Sequence, residues 1–215
     1  RIDRQTRYTL KNMAKTLEAA GSSLENVVKA QIYLKNIEDL PRFEMVWKEF
    51  FPKDPPARTI YPVSSFGVLE GLIEINFVAL VNGGKTKKEV INVPSARQPL
   101  FHEPHAVRAG EFLFLSGLMA ADKDGLVEPA RVRPGSPYTV DTAEEQMRDI
   151  MEQAKIICSA AGADLSSCVR LLTVFTDFSD FPSATRVRSQ YFPKGQPATN
   201  NILVRGPLHV PGCKL

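Results

Sequence analysis

Apolar residues at Leu10, Met13, Ala14 and Leu17 recur with the spacing of one helix face, and Gly21 stands where such a helix must end. The run VVKAQIYL (27–34) that follows has the β-branched and aromatic composition of a strand. Asp39 then sits two residues before Pro41, an N-cap followed by a proline that the first helical turn tolerates. This predicts a second helix, with Trp47 and Phe50-Phe51 packing it onto a sheet. PPARTIYPV (55–63) predicts a strand after a proline turn, and GLIEINFVAL (71–80) alternates like another. Helix, strand, helix, strand, strand lays two helices on one face of a mixed sheet, an α+β domain.

The same order returns further along. A shift of 141 positions places Gln5 on Gln146, AAG (19–21) on AAG (160–162), Leu24 on Leu165 and Val28 on Val169. It also places Asp39–Pro41 on Asp180–Pro182 and FPK (51–53) on FPK (192–194). DTAEEQ opens the matching helix with Thr142 and Glu145 in a capping-box pattern, VRLLTVFT is the matching strand, and Asp180 repeats Asp39 as an N-cap. Two tandem copies follow, expected to divide into residues 1–88 and 89–215 across the turn-rich stretch VNGGKTKKEVINVPSARQP (81–99). The copies are cut differently. HAVRAGEFLFLSGLMAADKDG (105–125) reads as strands around an Ala-Gly turn with an Asp124-Gly125 hairpin signal, and has no counterpart before Arg1. Copy two stops at GCKL, short of a run like 71–80, so the natural protein is expected to extend past both ends.

Composition narrows the function classes. With 215 residues and 43% hydrophobic content there is material for real cores, while a formal charge of +3 gives no basis for a nucleic-acid-binding surface. KTKK (85–88) reads as solvated linker. Cys158, Cys168 and Cys213 are too few and too badly spaced for a disulfide framework or zinc site, and they fit a reducing, cytoplasmic setting. No apolar run approaches the roughly 20 residues of a membrane helix, and the opening RIDRQ leaves a removed targeting segment possible. His102, Glu103 and His105 match no metal motif and read as surface residues beside a strand. No serine has the Gly-x-Ser-x-Gly context of a hydrolase nucleophile.

With SG after the second strand, AAG after the first helix, PART and LIEI in this order, the chain resembles the RidA/YjgF family of reactive-intermediate deaminases. The match is to a tandem of two such domains, with the chorismate-mutase-like fold. The resemblance implies hydrolysis of 2-imino acids to 2-oxo acids and ammonia without a cofactor, in trimers whose sites lie in clefts between neighbouring domains. A homo-oligomer, with a small carboxylate-bearing imine or enamine as substrate, is the expectation.

Candidate site residues follow from both sources. The planar guanidinium of Arg58 can hold a carboxylate through two parallel charge-assisted bonds, and it occupies the family's anchor position. Glu74, a carboxylate in an apolar strand, falls where the family positions its water and is the expected proton-transfer group. Ser116 and Gly117 are expected to present backbone N–H groups to a developing anion, Gly117 alternatively serving close packing. Glu103 replaces the family's substrate-facing tyrosine, and Glu44 a family asparagine. Two acids near an anion site weaken it, or favour a substrate with an amino group. In copy two Thr199 stands where Arg58 stands in copy one, so that position holds no carboxylate there. The alternative readings are a non-catalytic ligand-binding or assembly protein of this fold, or a specialised catabolic deaminase.

Overall fold

In the computed structural model, which describes residues 1–131, 135 and 141–215, the first helix ends as its sequence predicts. Beyond α1 (Ile2–Ala19), Gly21 takes φ 73°, the Ser22 N–H reaches the Leu17 carbonyl at 2.7 Å, and the Gly21 N–H reaches that of Glu18. These bonds satisfy carbonyls that a helix end leaves orphaned, and only glycine adopts that φ without strain.

Strand β1 (Val27–Leu34) leads through α2 (Leu40–Phe50) to β2 (Ala57–Pro62) and β3 (Ile73–Ala79). β1 is central, parallel to β2 and antiparallel to β3. Side chains alternate across this sheet. Ala30, Ile32, Leu34, Ile60, Ile73 and Ile75 meet Leu10, Phe43, Val46 and Trp47 of the two helices in one apolar core. The opposite face carries Lys29, Gln31 and Tyr33, in register with Thr59 and Tyr61 on one side and with Asn76 and Glu74 on the other. Asp39 occupies the cap position of α2, yet its side chain makes no capping bond. It closes a short 3₁₀ turn at φ −76° and ψ −8°, already helical, whereas capping needs an extended residue. Asp180 departs from expectation in the same way, and its carboxylate instead takes the Lys214 ammonium at 2.7 Å.

An antiparallel sheet of β4 (Lys88–Ile91), β5 (Ala106–Ala109) and β6 (Phe112–Leu115) completes the first compact unit, residues 1–93 and 99–117. Val107 and Ala109 pack on Val28 and Ala57, and the Gly117 N–H bonds the Arg58 carbonyl at 2.8 Å. The β5–β6 hairpin, which the repeat assigned to copy two, therefore packs within the unit built on copy one. The compact unit runs past the division expected at residue 88, because the hairpin's apolar face is buried by copy-one residues.

The second unit comprises residues 94–98 and 118–215. After the β7 (Ala121–Asp122) and β8 (Gly125–Leu126) hairpin come α3 (Thr142–Ala160), β9 (Arg170–Phe175), α4 (Phe181–Gln190) and β10 (Ala198–Leu203). β9 and β10 pair in parallel, and Met147, Met151, Phe175 and Val187 form its core with Leu215. The cap of α3 is Asp141 rather than Thr142. Its Oδ1 accepts from the Ala143 and Glu144 N–H groups at 3.0 and 3.2 Å, while Thr142 is buried inside the first turn. Gly162, at φ 69°, repeats the helix end of Gly21.

Candidate functional site

Arg58 pairs with Ala30 across β1–β2, which turns its side chain to the helix-covered face. The side chain is wholly buried. Its guanidinium carbon lies 5.2 Å from the Trp47 ring centroid, 5.7 Å from that of Phe43 and 6.0 Å from that of Phe101. Aromatic faces attract a cation but cannot replace its hydration, so ionic partners are required. Two are present. Arg58 Nε donates to Glu103 Oε2 at 2.8 Å, and Nη2 is ion-paired with Glu44 Oε1. Nη1 is buried with no acceptor among the described residues.

The segment carrying Glu103 is pinned to α2 by its backbone. The His102 N–H reaches Glu44 Oε2 at 3.3 Å, the Trp47 indole N–H reaches the His102 carbonyl at 3.3 Å, and His102 Nε2 lies 2.6 Å from the Phe51 carbonyl. Glu103 is deeply buried, and burial raises its carboxyl above the ordinary range; Arg58 opposes this and Glu44 adds to it. The Arg58 guanidinium and, from the other side of the sheet, the Lys29 ammonium both favour the charged carboxylate, so the raised proton affinity of Glu103 is first an effect of burial.

The other expected site residues are placed differently. Ser116 Oγ donates to the Pro104 carbonyl at 2.7 Å and accepts from the Arg58 N–H at 3.2 Å, so it holds the arginine's backbone. The Ser116 N–H is donated to the His105 carbonyl and the Gly117 N–H to that of Arg58. Neither is left to stabilise an anion, contrary to expectation, because both continue strand pairing. A Cβ on Gly117 would meet Thr59 Cγ2 at 3.0 Å, so this glycine serves close backbone approach. Glu74 is exposed on the opposite face of the sheet from Arg58, since its neighbours Ile73 and Ile75 take the core positions. Within this unit the two cannot grip one small molecule together. Thr199 bonds the carbonyl of Pro197 at 2.8 Å.

His105 corrects the surface reading of the histidines. It is 2% exposed, and its Nδ1 accepts the Val93 N–H at 3.0 Å. Among the described residues no cluster of His, Cys, Asp or Glu could hold a metal ion.

Lys29 was missed. On the face of β1 opposite the helices, its ammonium donates to Thr59 Oγ1 at 2.8 Å and to the Leu115 carbonyl at 2.7 Å. Burial lowers it to about 8, with Glu103 pulling the other way. A lysine inside a largely apolar central strand, two residues before Gln31, was the available signal.

The family model described as Endoribonuclease L-PSP matches residues 1–81 and again 93–209. The chain belongs to that family, as two tandem α+β segments, and its relatives carry the RidA name. It is similar to Protein mmf2, mitochondrial, of Schizosaccharomyces pombe, at 45% identity over 83 residues, covering 36% of this chain and 64% of that protein. It is similar to Reactive Intermediate Deaminase A, chloroplastic, of Arabidopsis thaliana, at 27% over 124 residues, covering 58% and 61%. The human 2-iminobutanoate/2-iminopropanoate deaminase is 34% identical over 79 residues, covering 37% and 57%. The chain thus spans less than two thirds of the length of these curated relatives. Among solved structures, RidA from an Antarctic Psychrobacter superposes with a TM-score of 0.47 at 24% identity, over 59% of this chain and 92% of that one.

Proposed function

We propose that the protein hydrolyses a small 2-imino or enamine carboxylic acid to a 2-oxo acid and ammonia, with Arg58 as the carboxylate anchor and Glu103 as an internal stand-in for the substrate's carboxylate. The observation that carries this reading is the Arg58 Nε to Glu103 Oε2 bond of 2.8 Å. It shows a rigid guanidinium, walled by aromatic rings, already engaging a carboxylate of the kind a substrate would bring. Membership of a family that includes a human 2-iminobutanoate/2-iminopropanoate deaminase supports the reaction class. Entry of substrate exchanges one carboxylate for another, and burial favours uptake of a solvent proton by Glu103 as it parts from Arg58. A homo-oligomer belongs to the same reading; a monodisperse monomer by light scattering would remove that part of it.

The placement of Glu74 and Arg58 on opposite faces favours the second reading, a non-catalytic binding or assembly protein. Ammonia release from 2-iminopropanoate generated in situ separates the two. Glu103→Gln removes the competing charge and is expected to lower KM roughly tenfold, the weight of one charge-assisted bond. No acceleration over the spontaneous rate by wild type or by Glu103→Gln leaves the second reading in place.

A further inference from the structure

The two copies mount a buried guanidinium from opposite sides. In the first unit strand residue Arg58 lies over helix residue Trp47. The 141-position shift carries these to Thr199 and Arg188, so in the second unit the arginine comes from the helix and the short side chain from the strand. Arg188 is 2% exposed. Its Nη1 donates to Thr173 Oγ1 at 2.9 Å and to Asn201 Oδ1 at 3.0 Å, both neutral acceptors. No carboxylate among the described residues pairs with it, and Thr185 holds the place that Glu44 holds in copy one. Among the described residues neither the buried Nε nor the Thr185 hydroxyl one helical turn away has a hydrogen-bond partner.

A charge this deeply buried and met only by neutral groups is costly, and native proteins seldom leave one unpaired. The atoms left over have a definite shape. With Nη1 engaged by β9 and β10, the remaining Nε–Nη2 edge offers two parallel N–H groups, the edge that fits a planar carboxylate. The Thr185 hydroxyl can donate a third bond on the same helix face. We infer that the second unit binds a small carboxylate on the Nε–Nη2 edge of Arg188, with the Thr185 hydroxyl as a further donor, at a position distinct from the Arg58 cluster and independent of the deaminase reading. Chloride, lacking two oxygens in a plane, fits this edge poorly.

The test titrates propanoate into the full chain at constant ionic strength, with propanamide and chloride as controls. The Arg188 Nε–H NMR resonance, assigned by its loss in Arg188→Met, is followed together with the thermal midpoint. Propanoate is expected to shift that resonance saturably and raise the midpoint, while propanamide and chloride leave both unchanged. Thr185→Glu supplies the missing carboxylate from within, as Glu44 does in copy one. It is expected to raise the midpoint without ligand and to weaken propanoate binding at this resonance by at least about tenfold. A stationary Arg188 resonance overturns the inference even if propanoate stabilises the protein through Arg58. An equal response to chloride overturns the carboxylate assignment. Thr185→Glu that destabilises the chain or leaves binding intact overturns the placement.

Discussion

Arg58 and Glu103, 45 residues apart, meet through a 2.8 Å bond between Nε and Oε2, with both side chains almost fully removed from water. Glu103 arrives on the segment leading into the β5–β6 hairpin, so the sequence neighbourhood of the second copy supplies an acid to the arginine of the first. With Glu44 on the other flank Arg58 faces two carboxylates, and the burial of Glu103 has consequences that can be measured.

The first concerns pH. A carboxyl that binds its proton more tightly folded than unfolded contributes stability that is fully present below the ordinary glutamate value of 4.5 and is lost as pH rises through the raised value. Wild type should therefore lose stability relative to Glu103→Gln as pH climbs from 4.5 toward neutrality, opposite in sign to an ordinary salt-bridged acid. Thermal midpoints of both proteins across that range check it; parallel curves would show that burial does not perturb Glu103.

Removing the arginine strands both acids. Arg58→Ala should destabilise the first unit by about 3–5 kcal/mol, the usual cost of breaking a buried pair from one side. Arg58→Lys keeps charge but not the fork, and should fall closer to Ala than to wild type. Thr199→Ala breaks one hydrogen bond to the Pro197 carbonyl and should cost no more than about 1.5 kcal/mol. Urea denaturation reads all three, and equal losses at positions 58 and 199 would contradict the difference between the copies.

What local rules govern was legible in the chain. The helix ends at Gly21 and Gly162 and the strand VVKAQIYL depend on neighbours a few residues away, and each lies where its own residues place it. The face of Glu74 was legible too, since Ile73 and Ile75 claim the core positions on either side. The caps were less legible: Asp39 and Asp180 have the right identity, but the preceding 3₁₀ turn sets a backbone that composition does not reveal. Long-range pairing was not legible. Nothing around Glu103 announces Arg58, and nothing around Ser116 shows that its N–H goes to His105. Arg188 carries no signal in the repeat, because it aligns with Trp47 while Thr199 takes the position of Arg58.

Gly117 offers a packing test free of charge effects. Gly117→Ala brings a Cβ to 3.0 Å from Thr59 Cγ2 and should destabilise by about 1–3 kcal/mol. Thr59→Ser removes that methyl while keeping the hydroxyl that accepts from Lys29. The double variant should recover most of the loss, and a mutant cycle reads the coupling. Strictly additive losses would mean the clash is relieved elsewhere.

Lys29 and Lys88 carry the last prediction. Burial lowers both to about 8, Lys29 against the pull of Glu103 and Lys88 against that of Asp54 and Glu25. A lysine that binds its proton less tightly folded than unfolded costs stability below its folded value, and that cost disappears as pH passes the ordinary lysine value of 10.5. Between about 8 and 10.5, wild type should therefore gain stability with pH relative to Lys29→Met, and separately relative to Lys88→Met. The two are distinguished by their partners. Glu103→Gln removes the charge that props up Lys29, so the Lys29 window should widen toward lower pH while the Lys88 window stays in place. Denaturation midpoints of the single and double variants against pH measure both windows, and a Lys29 window unmoved by Glu103→Gln would show that the acid beside Arg58 does not reach across the sheet.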